Sequence, residues 1–361
     1  MATAVSTYAF LNAKLRARMA KLLPRETITR MVHAHSLEEA LHLLRNTSFA
    51  SVLTAYEQTG DLLTAELEIQ RLQQQDLFDV KRYAAQFTDS VVTEFLSILL
   101  SRFEISDIKN AIRLWFERAI RGRMVEDKLP YLVRSSFTGG ATVESIVNAS
   151  TPAELGAVLE STPYGAVLSS VLPSIKESGS LFSVEVALDR WYFQALQHGV
   201  LSLKKRDRKV AERMIGIEID VVNVNWVTRM VEPGQEGSSG KPVLLSGGYM
   251  LDSSALTAAT ESGRGTQDLA DFFQTRFGLP GLSGTAEDGY ADNRTRSAAL
   301  LESMLQQALL VESRRALAGN PFTIGIPLAY VALKQQETRT VTTVLNGKYY
   351  AASEADIGAF L

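Results

Sequence analysis

Between Gly60 and Gly122 the chain contains neither glycine nor proline, and its apolar residues fall three and four positions apart. Val92, Phe95, Leu96, Leu99 and Phe103 line one helix face, and Ile105, Ile108, Ile112, Trp115 and Phe116 continue it. A proline-free run over 174–232 repeats the spacing with Leu188, Trp191, Tyr192, Ala195 and Leu196. A third run, 290–318, carries Leu300, Leu301, Met304, Leu305, Leu309 and Leu310. Ala, Leu, Glu, Gln and Arg dominate all three, and these residues lose little rotamer freedom in a helix. Strict two-residue alternation, the mark of a half-buried strand, is rare. The pattern predicts an all-α protein.

Shorter helices between these runs carry start signals. Ser36-Leu-Glu-Glu39 and Thr151-Pro-Ala-Glu154 each place a hydroxyl at the cap and a carboxylate three residues later. Pro152 sits at the first helical position, where its missing N–H costs nothing. EPGQEGSSGKPVLLSGG (232–248) reads as the one loop-like, flexible insertion.

The pattern also repeats. Asp107-x-x-Asn110 returns as Asp220-x-x-Asn223 and, more weakly, as Glu337-x-x-Thr340, while Asn12 begins a helix of the same kind. TGGATVESIVNAS (138–150) resembles SGGYMLDSSALTA (246–258). SLEEALHLLRNTSF (36–49) resembles TPAELGAVLESTPY (151–164) and, loosely, TQDLADFFQTRF (266–277). A long helix follows each copy. The repeats predict three similar helical units, 1–106, 107–219 and 220–361, with helices shared at the joints. Three copies in one chain suggest a pseudo-threefold arrangement, whose central axis makes a hole or socket.

Composition narrows the chemistry. With 46% hydrophobic and 21% charged residues, the 361-residue chain has the make-up of a soluble globular protein. A net charge of −3 supplies no whole-protein basic field for nucleic acid. The absence of cysteine excludes disulfides, thiolate metal sites and cysteine nucleophiles. The N-terminal residues interleave Lys and Arg with apolar positions, unlike a secretory signal. No stretch reaches the roughly 20 apolar residues of a membrane span. The longest candidate, PFTIGIPLAYVAL (321–333), is short and carries Pro321 and Pro327. Any place at a membrane is therefore expected to depend on a partner.

Candidate chemistry is sparse. His33, His35 and His42 lie near Glu38 and Glu39, but their spacing matches no zinc pattern, and His33 and His35 do not share a helix face. GSSGK (237–241) looks like a phosphate loop, yet Pro242 follows the lysine and Gln235 takes the first glycine position. LKKRDRKVAER (203–213) holds six basic and two acidic residues, a composition open to nucleic acid or acidic lipid; without interleaved aromatics it suits a solvated helix end more simply, and a protein partner better than nucleic acid. No nucleophile elbow or Ser/His/Asp set stands out. No cofactor motif is present, and no catalytic or metal residue is singled out.

That leaves Asp-x-x-Asn. Asp107 and Asn110 share a helix face. A catalytic dyad serves one active site, whereas recurrence at equivalent places argues for an architectural or interface role: capping a neighbouring helix end or lining the socket.

YAFLNAKLRAR, FEISDIKNAIR, IEIDVVNVN, the pattern within ALDRWYFQAL, and the ending NPFTIGIPLAYVALKQQETRTVTTVLNGKY occur in an order that resembles one family over residues 8–350. This family is the C subunit of the V-type (A-type) ATPase/ATP synthase, the counterpart of the d subunit of eukaryotic V-ATPase. The resemblance implies a funnel-shaped, non-catalytic, all-helical rotor subunit of the central stalk. One face would sit on the membrane ring of proteolipid subunits, and the socket would receive the coiled-coil axle. The chain would thus couple ATP hydrolysis or synthesis to proton or sodium transport at the cytoplasmic face, without a cofactor. The polar helix faces carrying Asp107, Asn110, Asp220, Asn223, Arg229, Glu337 and Arg339 are the expected axle contact. Thr340, where the family tends to have Asn, and the long 232–248 insertion depart from the pattern. A free-standing helical-repeat adaptor for protein partners is the alternative.

Overall fold

The structure, a computed structural model, describes residues 4–125, 128–129, 132, 137–230, 244–251, 253–261, 269, 271–272, 275 and 293–359. Among them the regular elements are helices and no β-strand occurs, in agreement with the periodicity. The chain groups into two compact units, one formed by Met1–Ser202 with Tyr330–Leu361 and the other by Leu203–Ala329.

The first unit begins with α1 (Ala4–Met19), the short helices α2 (Arg25–His33), α3 (Leu37–His42) and α4 (Ala50–Thr59), and the long α5 (Leu62–Phe87) and α6 (Ser90–Ala119). Gly60, at φ 67°, ends α4 in the left-handed region, and the next residue, Asp61, caps α5 by accepting the Leu63 N–H. Asp89 caps α6 through the Val92 N–H, after which no Gly or Pro interrupts thirty residues of helix. Its predicted stripe is buried from Val92 to Phe116, save that Phe103 is only part-buried. The unit continues with α7 (Val143–Asn148), α8 (Pro152–Leu159), α9 (Gly165–Val171), a short α10 (Ile175–Ser178) and α11 (Phe182–Ser202), which packs along α6.

The similarity of 36–49 to 151–164 is present atom by atom. Ser36 Oγ accepts the Glu39 N–H, and the Glu39 carboxylate reaches back to the His35 N–H. Thr151 Oγ1 accepts the Glu154 N–H, and Glu154 reaches back to Ser150. In both, the carboxylate takes the N–H one residue before the cap rather than that of the cap itself. Farther on, Thr47 donates to the Leu44 carbonyl and accepts from the Phe49 N–H, as Thr162 does with Leu159 and Tyr164.

Two later helices complete this unit: α15 (Gly325–Tyr349), whose first turn belongs to the other unit, and α16 (Glu354–Ala359). The core beneath α2–α4 joins Met31, Leu41, Leu44, Phe49 and Val52 to Val341, Val344 and Leu345 of α15 and Ile357 of α16. Full burial stabilises each large apolar side chain by about 1.5–3 kcal/mol, so this core ties the beginning of the chain to its end.

The second unit holds α12 (Lys205–Met230), α13 (Ser253–Glu261) and α14 (Asn293–Ala318). Helix α14 packs along α12, Leu301, Leu305 and Leu309 of its predicted stripe are buried, and α13 packs against α12. Most of the predicted insertion, 232–243, lies outside the described residues, whereas 244–251 is held down at defined points.

Candidate functional site

A carboxylate on each of three long helices accepts backbone N–H from a segment that leads into short helices, α7–α9, α2–α4 and, among the described residues of the second unit, α13. On α6, Glu104 Oε1 accepts the Thr138 N–H (3.2 Å) and Oε2 accepts the Thr138 hydroxyl (2.8 Å). On α12, Asp220 Oδ2 accepts the N–H groups of Tyr249 (2.9 Å) and Met250 (2.6 Å). On α15, Glu337 Oε1 accepts the Leu23 N–H (2.7 Å), just ahead of α2. A charged acceptor satisfies N–H groups that no helix or ladder takes up, and such bonds are stronger than neutral ones.

The surroundings of the Glu104 and Glu337 carboxylates correspond as well. Tyr164 donates its hydroxyl to Glu104 Oε1 at 3.2 Å. Its counterpart Phe49 has no hydroxyl. There Lys334 supplies the donor, with Nζ 2.9 Å from Glu337 Oε2 and 4.8 Å from the Phe49 ring centroid. The Lys334 ammonium also pairs with Asp76 of α5 at 3.0 Å, and Asp76 meets Arg18 of α1. A buried cation thus links α1, α5, α15 and the segment before α2.

Asp220 is fully buried, and its Oδ1 has no hydrogen-bond partner among the described residues. Burial pushes its carboxyl up to about 6, against the opposing pull of the Met250, Tyr249 and Leu251 N–H groups. Gly248 lies directly over this carboxylate, and a Cβ built there would overlap Oδ1. One turn along α12, Asn223 donates to the Leu245 carbonyl and accepts the Leu245 N–H, both at 2.9 Å. The predicted likeness of 138–150 to 246–258 reappears in the first glycine of each pair, Gly139 and Gly247, with φ of 92° and 86°; Gly140 shares that region of φ and Gly248 does not.

The residues expected on polar faces separate by burial. Asp220, Asn223 and Glu337 are buried and hold the chain's own backbone. Asp107 accepts the Gln74 amide at 2.7 Å, and Asn110 Oδ1 accepts from Arg113 at 3.0 Å; both are part-buried on α6. Arg339 is exposed on α15, while the side chain of Arg229 lies outside the described residues. Thr340 is buried, with Oγ1 3.4 Å from the Gln336 amide. Asn12 is buried on α1.

Glu104 is the member that reading by residue type missed. Asp-x-x-Asn points to Asp107, but the hold on the backbone is made one turn earlier. Glu104, Asp220 and Glu337 stand at nearly equal intervals along the chain, more even than those of Asp107, Asp220 and Glu337. That even spacing was the signal to follow.

The other candidates do not converge. His33 faces Glu354 on the surface, and His42 faces Arg45. GSSGK (237–241) lies outside the described residues. Among the described residues no three His, Asp or Glu side chains gather as metal ligands.

Residues 11–360 match the family model described as ATP synthase (C/AC39) subunit. The chain is similar to the C subunit of the A-type ATP synthase of Methanocaldococcus jannaschii, with 21% identity over 99% of this chain and 86% of the relative. It is 24% identical to the protein of that name from Methanothermobacter thermautotrophicus, over 94% of this chain and 84% of the relative. The corresponding Pyrococcus horikoshii protein is also 24% identical, over 93% and 85%.

Proposed function

The chain belongs to the ATP synthase (C/AC39) subunit family, and from that premise we propose that it is the central-stalk rotor subunit of a V-type or A-type ATPase. The family member in such a complex is a non-catalytic accessory subunit. In this reading the chain seats the lower end of the coiled-coil axle and rests on the membrane ring of proteolipid subunits at the cytoplasmic face. It thereby couples ATP hydrolysis or synthesis to proton or sodium movement. The single observation that carries the reading is the family match over 11–360, nearly the whole chain. No described helix is long and apolar enough to cross a membrane, so contact with the ring is peripheral.

The division into units 1–106, 107–219 and 220–361, set about a pseudo-threefold axis as a funnel with a socket, belongs to the same proposal. The recurrence of the Glu104, Asp220 and Glu337 holds supports it. Axle contact is assigned to Asp107, Asn110, Arg229 and Arg339. Asp220, Asn223 and Glu337 serve it from within, by fixing the segments they hold. A rotor joint must transmit torque, which requires rigid local geometry more than high affinity.

The test is affinity purification of the tagged chain from native membranes. Co-purification of an axle subunit and a proteolipid ring is expected. A chain recovered without either, bound instead to unrelated proteins, would overturn the rotor reading in favour of the free-standing adaptor.

A further inference from the structure

We propose that one end of the second unit is a docking surface for anionic phospholipid headgroups. LKKRDRKVAER, the basic stretch that the rotor reading leaves unused, opens α12, where Lys204, Lys205, Arg206 and Lys209 are exposed. The last turns of α14 lie against this end. Arg213 of α12 meets Glu312 of α14 at 2.8 Å, and a Cβ built on Gly325 would lie 3.1 Å from Ala316 and 3.3 Å from Val210. The Ile324 N–H donates to Asp207 Oδ1 at 3.0 Å, which folds the turn after α14 over the start of α12. Exposed Arg314 and Arg315 therefore join Lys204 and the three α12 cations at one end of the helix pair.

Little acid balances them. Asp207 is buried and holds the turn. Glu312 is shared between Arg213 and Arg315. Glu212 is the remaining exposed carboxylate of the α12 stretch. From Ser313 to Gln336 the sequence has no acidic residue. Lys205, Arg206, Lys209 and Arg314 make no ion pair among the described residues. Lys205 and Arg206, at the beginning of α12, also work against its macrodipole and are relieved by an external anion, whereas Arg314 and Arg315 close α14, where the macrodipole favours them. In a chain of net charge −3, this is a local field of opposite sign.

The shape of the cluster selects among anions. Lys and Arg are spread over two helix ends, with exposed Pro321 and part-buried Phe322 in the turn that follows α14. No aromatic residue alternates with the cations along the α12 stretch, so a nucleic-acid strand finds no stacking platform. Clustered cations beside a small apolar tip match a headgroup layer, in which charge is dense and exact geometry is not demanded. The proposal deepens the rotor reading by adding lipid to its protein partners, but its test does not depend on assembly.

The test is flotation of the purified full-length chain with vesicles of phosphatidylcholine alone or with one third phosphatidylglycerol, at low and high salt. Binding to the anionic vesicles alone is expected, falling steeply as salt rises. The triple variant Lys205→Gln, Arg206→Gln, Lys209→Gln should lose affinity on the order of 100-fold, about five-fold per cation. The conservative pair Lys205→Arg, Lys209→Arg should bind as wild type. A control that removes the same charge elsewhere, Lys14→Gln, Lys21→Gln, Lys81→Gln, should lose much less. Circular dichroism checks that each variant is folded. Equal binding to both vesicle types would overturn the proposal. So would equal losses in the two triple variants, or absence of vesicle binding by a chain that captures an acidic protein. Failure to float leaves the rotor reading standing, and failure to co-purify with the other ATPase proteins leaves vesicle binding standing.

Discussion

The Leu23 N–H and the Glu337 carboxylate meet at 2.7 Å across 314 residues of sequence. Lys334 neutralises that carboxylate, and the side chains of Lys334 and Glu337 are only 4% and 5% exposed. Removing one member of a buried ion pair leaves the other uncompensated, which costs about 3–5 kcal/mol. Lys334→Met and Glu337→Gln should each destabilise the chain strongly. The double variant should cost clearly less than the sum, because the two buried charges leave together and Asp76, the other partner of Lys334, keeps Arg18. Urea denaturation of the four proteins measures this, and additive losses would contradict it.

Asp220 gives stability a pH dependence of unusual sign. Its carboxyl in the folded chain, at about 6, lies above the ordinary value. Between about pH 4 and pH 6 the native state therefore holds a proton that the unfolded chain has released. This contribution is fully present below about pH 4 and is lost as pH rises through about 6, a change of about 3 kcal/mol. Asp220→Asn keeps an acceptor for the Tyr249 and Met250 N–H groups without the charge. It should flatten the profile and be the more stable protein at pH 8. Denaturation curves from pH 4.5 to 8 decide the point: parallel profiles for the two proteins would rule the account out.

Gly248 is fixed by the same carboxylate. Gly248→Ala should cost about 1–3 kcal/mol, since the added methyl overlaps Asp220 Oδ1. In an Asp220→Ala background the methyl meets no carboxylate, and the added cost should shrink. Thermal melts of the single and double variants test it through their non-additivity.

Glu104 and Asp107 can be separated directly. Glu104 accepts from Thr138 twice and from Tyr164, and among the bonds of Asp107 is one from the part-buried Gln74 amide. Glu104→Ala should destabilise by about 2–3 kcal/mol and Asp107→Ala by about 1 kcal/mol. Hydrogen exchange at the Thr138 amide should quicken in the Glu104 variant alone. The reverse order would return the architectural role to Asp107.

Helix was legible wherever burial repeats every three or four residues, as along α6 and α11. Start signals were legible because Ser36 and Thr151 act on N–H groups three residues away, within one turn. The TGG and SGG stretches were legible through Gly139 and Gly247, whose positive φ values only glycine adopts freely. The carboxylate register was harder. Glu differs from Asp by one methylene, so matching residue types favoured Asp107 over Glu104, although the even spacing pointed to Glu104. For Asp220, Asn223 and Glu337 the recurrence made an architectural role legible, but not their burial: which segment each holds depends on the N–H groups of Tyr249, Leu245 and Leu23, brought to them by the fold.

Coupling, the centre of the proposed function, is measured most directly in vesicles carrying the ATPase depleted of this chain. ATP hydrolysis and ion transport are followed together while the purified chain is added back. The depleted complex should hydrolyse ATP without transport, and adding the chain should restore transport in proportion to its binding. Full transport before the chain is added, or hydrolysis that requires the chain while transport does not respond to it, would contradict the rotor role.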